Sequence, residues 1–237
     1  MENKKKVLIT GASTGIGFSC LELFSKNGWN VVAHYYEQTE KFDIFINDNK
    51  KIKAIECDFS NQDQLNNFFT KIKNEEIHAL VNSAGCFDFS HKSRNRIEAA
   101  KIIFQINTIT PILIAETVIV KMKELGFGRI INFSSIGVKF GSNMENIFYG
   151  SSKIALEAAT RSLAREGSGY NILVNAIRPG ITDTEFYKRI GKNLTERVKL
   201  IPLKRAALPE EIASFIYFLC SDNSYITGQT LPISGGE

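Results

Sequence analysis

Seven short, nearly all-apolar runs, each separated from the next by a segment long enough for a helix, constrain this chain more than any other feature of its sequence. They are KKVLITG, WNVVAHYY, IKAIECD, IHALVNSAG, GRIINFSS, NILVNAIRPG and QTLPISGG. Runs without clean polar alternation suit strands buried on both faces, as in a parallel sheet covered by helices. Parallel neighbours need crossover connections, and such crossovers are right-handed. The pattern predicts an α/β fold built on a doubly wound sheet of mainly seven parallel strands, flanked by helices on both faces.

The intervening segments carry helix punctuation. GFSCLELFSKNG has apolar residues near helical spacing and ends at Gly28, a suitable C-terminal stop. PEEIASFIYFLCSD starts with Pro209 at a favoured first-turn position and with Glu210 and Glu211 at the positive end of the helix dipole. No repeat, low-complexity tract or linker interrupts the series, and 237 residues suit one large domain, read here as 1–237. The longest weakly patterned stretch, ITDTEFYKRIGKNLTERVKLIPLKRAALP, predicts an insertion over about 182–208 of the kind that forms a lid or binding loop.

Composition narrows the partners. The formal charge is +4 with basic and acidic residues interspersed, so no nucleic-acid footprint is evident, and Lys4 to Lys6 read as a solvated start to the first strand. The VLIT run that follows is too short for a signal-peptide core, and no uninterrupted apolar run reaches membrane-spanning length. Cys20, Cys57, Cys86 and Cys220 lie far apart without CxxC spacing, and there are three histidines, so neither a metal site nor a disulfide framework is expected. A reducing cytoplasm fits this usage best.

In VLITGASTGIG, a buried strand passes into a helix through Gly11, Gly15 and Gly17. Glycines there permit positive φ and close approach by a phosphate, which the free N–H groups of the helix start attract. The spacing is neither GxGxxG nor a P-loop, since no Lys-Ser/Thr pair follows the last glycine, so it points to nucleotide binding without phosphoryl transfer. A tight turn with no ligand would look the same locally; its place on the first strand of an α/β sheet favours the ligand. Asp58, in CDFSNQDQ, is either a second contact or a cap for the next helix.

FYGSSKIALEAATRSLARE places Tyr149 and Lys153 four apart on one helical face. A phenol ordinarily ionises near pH 10, and an adjacent ammonium favours the phenolate, so such a pair can exchange protons nearer neutrality. The same spacing also suits a packed tyrosine beside a snorkelling lysine. Ser134 and Ser135 end the GRIINFSS run, where they either face a ligand crevice or cap the next turn. Asn107 lies in the apolar IIFQINTITPILIAE, where a buried amide needs partners, and Pro111 removes the helix donor four residues on, which predicts a local kink with a freed carbonyl and a water.

Taken together these motifs resemble the short-chain dehydrogenase/reductase family over essentially the whole chain. TGASTGIG matches its TGxxxGxG cofactor turn, NSAG at Asn82 resembles NNAG, YGSSK matches YxxxK, and RPGITDT and ITGQTLPISGG resemble its later segments. The resemblance implies a single Rossmann-like domain and a nicotinamide cofactor. Tyr149 would be the proton donor or acceptor, and Lys153 would lower the tyrosine pKa and hold the nicotinamide ribose. Ser135 would hydrogen-bond the substrate carbonyl or alcohol; it is preferred to Ser134 because the second serine of the pair faces the site in the family's pattern. Asn107 would hold a relay water. Cofactor contacts would come from Gly11, Ser13, Thr14, Gly15, Ile16, Gly17, Tyr35, Asp58, Phe59, Asn82, Ala84, Gly85, Pro179, Gly180, Thr182 and Thr184, besides Tyr149 and Lys153.

Departures bear on specificity. Ser83 replaces the second Asn of NNAG, Ser234 replaces an Asp, and the KFGSNMENIF loop before Tyr149 is slightly extended. Tyr35 stands where an NAD-preferring relative carries Asp, which implies NADP(H) over NAD(H), although Thr14 stands where many NADP-preferring relatives have Arg and only His34 and Lys41 are at hand as substitutes. Resemblance to 3-oxoacyl-carrier-protein reductases implies NADPH-dependent reduction of a 3-oxoacyl thioester on an acidic carrier; Arg129 matches one basic docking position, while Tyr170 departs from the basic residue expected at the other, which counts against the carrier. A sugar or other polar carbonyl compound is the enzymatic alternative, and a non-catalytic nucleotide-binding sensor or scaffold the alternative of another class. The resemblance also implies a homotetramer or homodimer through the helices of Asn107 and Tyr149.

Overall fold

Each apolar run becomes a strand: β1 (Lys6–Thr10), β2 (Asn30–Tyr35), β3 (Ile52–Glu56), β4 (Ala79–Asn82), β5 (Gly128–Phe133), β6 (Ile172–Pro179) and β7 (Thr230–Ile233). The computed structural model describes residues 4–87, 95–141, 143–189 and 194–237. The seven strands form one sheet in the order β3-β2-β1-β4-β5-β6-β7, with every neighbouring pair parallel. The order reverses between β1 and β4, and the carboxyl ends of strands at such a reversal open a crevice between their connecting loops.

The helices are α1 (Gly15–Lys26), α2 (Glu40–Asp48), α3 (Gln62–Ile72), α4 (Arg96–Phe104), α5 (Thr110–Leu125), α6 (Gly137–Phe140), α7 (Ile147–Gly167), α8 (Glu185–Arg189), α9 (Leu194–Lys199) and α10 (Pro209–Ser221). Side chains alternate across the sheet, so β1 sends Val7 and Ile9 to one face and Leu8 to the other. Val7 and Ile9 join a core with Phe18, Leu21 and Phe24 of α1 and Ile212, Ile216 and Leu219 of α10. Leu8 joins the opposite core with Leu65 and Phe68 of α3, Ile114, Val118 and Met122 of α5, and Leu163 of α7. Both faces are covered, which is why the strands needed no polar alternation.

A π-helical turn, Gln105–Ile109, joins α4 to α5, so the kink expected near Asn107 takes the form of a one-residue bulge rather than a break. The continuous helical stretch Arg96–Leu125 is long and apolar enough to cross a membrane, with a mean hydropathy of 1.7 over its most apolar 18-residue window, a property the separate apolar runs did not reveal. Half of its most apolar window is buried within the fold, where α5 covers the sheet. The insertion starts and ends on the same rung: Thr182 bridges Ala207, Asp183 N–H donates to Ala207 O (2.9 Å) and Ala207 N–H donates to Ile181 O (2.9 Å). It carries α8 and α9; positions 190–193 lie outside the described residues.

A line of buried polar groups fixes the central strands to the helices behind them. Asn82 Nδ2 donates to Asn132 Oδ1 (2.9 Å) and to Pro111 O (3.2 Å), Asn132 Nδ2 donates to Thr160 Oγ1 (2.9 Å), and Thr160 Oγ1 donates to Leu156 O (2.8 Å). Asn132 is fully buried and stands in the middle of this line. Its truncation leaves the Asn82 amide and the Thr160 hydroxyl short of partners where water does not reach, so Asn132→Ala should lower unfolding free energy by about 2–4 kcal/mol. Urea denaturation checks this; a loss below about 1 kcal/mol would mean the neighbours find other partners.

Candidate active site

The turn after β1 is shaped by what a side chain would strike. Gly11 has φ +66°, and a Cβ there would lie 2.9 Å from the Ala84 Cα; a Cβ on Gly17 would lie 2.0 Å from the Gly11 carbonyl oxygen; Gly15 has φ +52°. The α1 N-cap, Thr14, makes no side-chain cap bond and the first turn holds no acidic residue, so the first N–H groups of α1 are left without a carboxylate or hydroxyl. That uncapped start beside a turn stripped of Cβ atoms fits a dinucleotide pyrophosphate.

Across the crevice, α7 brings Tyr149 and Lys153 to the end of β5. Lys153 is 4% exposed, and its Nζ donates to Phe133 O (2.9 Å) and lies 5.7 Å from the Tyr149 ring centroid. A Cβ at Gly85 would come within 3.3 Å of that Nζ, so the glycine is part of the ammonium's space. Removal from water pushes the Lys153 pKa down to about 8, against a smaller upward pull from Cys86. The Tyr149 phenol moves the other way, up to about 12: burial raises it most, a hydrogen bond from Ser135 opposes the rise, and Cys86 adds to it. The depression expected from the neighbouring lysine is not found: burial dominates the phenol, and the one group that lowers it is Ser135.

The two serines separate. Ser134 is buried and its Oγ donates to Glu157 Oε1 (2.5 Å), whereas Ser135 faces the crevice beside the phenol. Asn107 is fully buried, and its side chain is engaged: Oδ1 accepts from Cys86 N–H (2.9 Å), while Nδ2 donates to Cys86 O (3.0 Å) and to Ser152 Oγ (3.1 Å). Ser152 Oγ in turn donates to Tyr149 O (2.7 Å), so the π turn, the loop after β4 and α7 are joined at one amide. The Asn107 side chain is thus committed to Cys86 and Ser152, and Pro111, four residues on, has no N–H to give the Asn107 carbonyl.

A cavity of about 530 Å³ gathers Gly11, Thr14, Gly15, Ile16, Ala84, Gly85, Ser135, Tyr149, Lys153, Pro179, Gly180, Thr182 and Thr184. Ser13, Gly17, Tyr35, Asp58, Phe59, Asn82 and Asn107 do not line it. Several of these serve as supports instead: Gly17 clears space for the turn, Asn82 belongs to the buried line behind β4, and Phe59 stacks on His34 with centroids 3.9 Å apart. Asp58 is not the cap of α3, which is Asn61; its Oδ1 accepts from Ser60 N–H (2.8 Å) and Ser60 Oγ (2.7 Å). Arg129 corrects a second expectation. It is buried, its guanidinium donates to the carbonyls of Asn223, Gly128 and Asn171, and it packs on Phe127, so it offers no surface charge to an acidic carrier.

Sequence reasoning missed much of the wall. Phe87 lies against Tyr149 with centroids 4.5 Å apart, Phe186 of α8 meets Phe87 at 6.3 Å, and Ile136, Val138 and Phe140 complete an apolar side. Arg197 of α9 also lines the cavity, paired with Glu237. These residues come from loops and from the insertion, where no periodicity announces which side chain turns inward.

A protein-family model described as enoyl-(acyl carrier protein) reductase matches residues 11–237. A 3-oxoacyl-[acyl-carrier-protein] reductase of Rickettsia typhi is 35% identical, covering 98% of this chain and 96% of its own. Among solved structures, 4-hydroxyisoleucine dehydrogenase complexed with NADH superposes with a TM-score of 0.87 at 29% identity, covering 98% of each chain. ElxO with NADP bound superposes with a TM-score of 0.83 at 28% identity, again covering 98% of each chain.

The depressed Lys153 pKa has a consequence for stability. Between about 8, its value in the fold, and 10.5, its ordinary value, the unfolded chain binds more protons, so stability rises with pH across that window; below it, the fold carries the full burden of a desolvated ammonium. Lys153→Met should therefore stabilise the protein by about 1–3 kcal/mol at pH 7, even after loss of the bond to Phe133 O, and the gain should shrink as pH rises through the window. Parallel urea denaturation at neutral and alkaline pH measures it; a variant less stable than the parent at pH 7 would contradict the desolvation argument.

Proposed function

Because the chain belongs to the short-chain dehydrogenase/reductase family, and is thereby an NAD(P)-dependent oxidoreductase, we propose that it reduces the keto group of a 3-oxoacyl thioester with NADPH. The observation that carries this reading is the convergence of Tyr149, Ser135 and Lys153 on one cavity where Phe87, Ile136, Val138, Phe140 and Phe186 form an apolar stretch of wall, alongside polar lining from Asn143, Asn146 and Arg197. Polar groups that act on a carbonyl stand at one end, and apolar surface that would hold an acyl group stands beside them. On the Phe87, Phe140 and Phe186 side of the cavity a sugar's hydroxyls would find no partner, whereas an acyl chain would be covered.

The nicotinamide, when bound, supplies a hydride to the carbonyl carbon. The chain's residues handle the oxygen and its proton. Ser135 donates a hydrogen bond to the carbonyl oxygen, and Tyr149 gives that oxygen its phenolic proton. Lys153, still mostly protonated at neutral pH with a pKa of about 8, stabilises the phenolate that results. The proton is replaced from solvent through Lys153 and a water on the Asn107 carbonyl.

Selectivity for NADP(H) over NAD(H) would rest on a missing repulsion. Tyr35 puts no carboxylate at the end of β2, and neither proposed substitute cation answers a 2′-phosphate as it stands. His34 is buried, stacked under Phe59, and held down to about 4, while Lys41 lies over Phe18 and pairs with Glu22. We further propose cytoplasmic residence, in keeping with four free cysteines. A homodimer or homotetramer is proposed through the outer faces of α4, α5 and α7, where Ile97, Val120 and Ile154 are exposed.

Two experiments test the reading. Tyr149→Phe should lower turnover of acetoacetyl coenzyme A by at least about a thousandfold in a nicotinamide absorbance assay while NADPH still binds; retained turnover would remove Tyr149 from the proton step. Fluorescence titration should give NADPH a dissociation constant below that of NADH by at most about tenfold, since no carboxylate repels the 2′-phosphate and the formal charge of +4 favours the more anionic cofactor. Tighter binding of NADH would reverse the cofactor assignment.

A further inference from the structure

Behind the cavity, one buried carboxylate joins the three segments that carry its working residues. Glu157 follows Lys153 by one turn of α7 and is 4% exposed. Arg178 Nε and Nη2 donate to its two oxygens, each at 2.7 Å, in the parallel fork that fits guanidinium to carboxylate. Ser134 Oγ donates to the same carboxylate (2.5 Å). The neighbours of these partners in sequence are the point. Ser134 stands between Phe133, whose carbonyl takes the Lys153 ammonium, and Ser135, which faces the phenol. Arg178 immediately precedes Pro179 and Gly180, which line the cavity at the end of β6.

Resting on the oxidoreductase reading above, we propose that Glu157 is a positioning residue, which sets Lys153 against Phe133 and Ser135 against Tyr149 through its bonds to Arg178 and Ser134. Its charge is matched by Arg178 and not by Lys153, so the lysine stays available to the phenol and ribose. The charged and titratable groups around this corner are Arg178 from β6, Lys153 and Tyr149 from α7, and Cys86 from the loop after β4. Any slip of the Glu157 carboxylate moves the α7 turn and the β5 end relative to each other, which is the geometry that brings ammonium, phenol and serine together. Small misplacements of this kind act on rate more than on binding.

The test uses the isosteric Glu157→Gln and the double variant Glu157→Leu/Arg178→Met, since buried ion pairs are commonly replaceable by apolar residues without loss of stability. Three readings are taken on each: the thermal midpoint, kcat and KM with acetoacetyl coenzyme A, and the pH dependence of NADPH binding by fluorescence, which needs no substrate and reports Lys153. In the double variant the thermal midpoint should stay near the parent's, kcat should fall at least about tenfold with KM changed less than about threefold, and the binding midpoint near pH 8 should move by at least about half a unit. A stable double variant with parental kcat and parental binding midpoint would overturn the proposal, since the clamp would then only staple the fold. If the double variant does not fold, the same kinetic and binding readings on Glu157→Gln decide it the same way. If the parent turns over no thioester, the substrate reading fails, and the pH dependence of NADPH binding still decides the role of Glu157.

Discussion

A lysine ammonium held out of water is the constraint around which this site is built. Lys153 has one carbonyl, that of Phe133, at hydrogen-bond distance, and its pKa falls accordingly. Keeping a cation there requires that nothing crowd it and that nothing neutralise it. The first condition explains Gly85, whose missing Cβ would press on the ammonium and on Asn107 Oδ1 together. The second fits the buried carboxylate one turn further along α7, Glu157, being already forked by Arg178. A bound cofactor and a forming phenolate would each give that desolvated ammonium a partner, so the cost of its burial is lowest where the proposed proton step needs it.

The rest of the site follows from parallel-sheet geometry. With all strands parallel, their carboxyl ends lie on one edge, and the loops after β1, β4, β5 and β6 meet there without any long-range search. Helix α7 must then be fixed in height and rotation against that edge. Buried amides and hydroxyls do this: Asn132 holds Thr160, Asn107 holds Ser152, and Ser134 holds Glu157, three ties along successive turns of the same helix. Hydrophobic packing alone tolerates sliding, whereas a buried polar group that loses its partner is penalised at once, so these ties define register as well as contribute stability.

This division accounts for what could be read from the sequence. The strands were legible because burial on both faces leaves all-apolar runs, and all seven coincide with the expected stretches. The glycine turn and the Tyr149–Lys153 pair were legible because their chemistry demands fixed residue types at fixed spacing. Phe87, Phe140, Phe186 and Arg197 were not, because Phe87 lies on a loop and the others on the short helices α6, α8 and α9, which are too brief for a periodicity to record which side turns inward. Asp58 could be read as a cap for α3, and only the structure gives that place to Asn61. Glu157 left a faint signal, an acidic residue in step with Lys153 on a helix face, but a solvent-facing glutamate gives the same one.

Arg129 illustrates why resemblance carries over a mechanism more safely than a partner. A proton relay depends on a few groups whose mutual geometry the fold enforces, so a matching motif brings its surroundings with it. A docking contact depends on a single side chain reaching solvent, and the same residue type at the same strand position can be turned inward by its neighbours. Here Phe127 offers Arg129 an aromatic face 4.3 Å away, and the carbonyls of Gly128, Asn171 and Asn223 take its N–H groups, so the guanidinium is better satisfied inside than out. Recognition of an acyl substrate by this chain is therefore argued from the cavity wall, where Phe87 and Phe186 stand beside the phenol, and not from charge at Arg129.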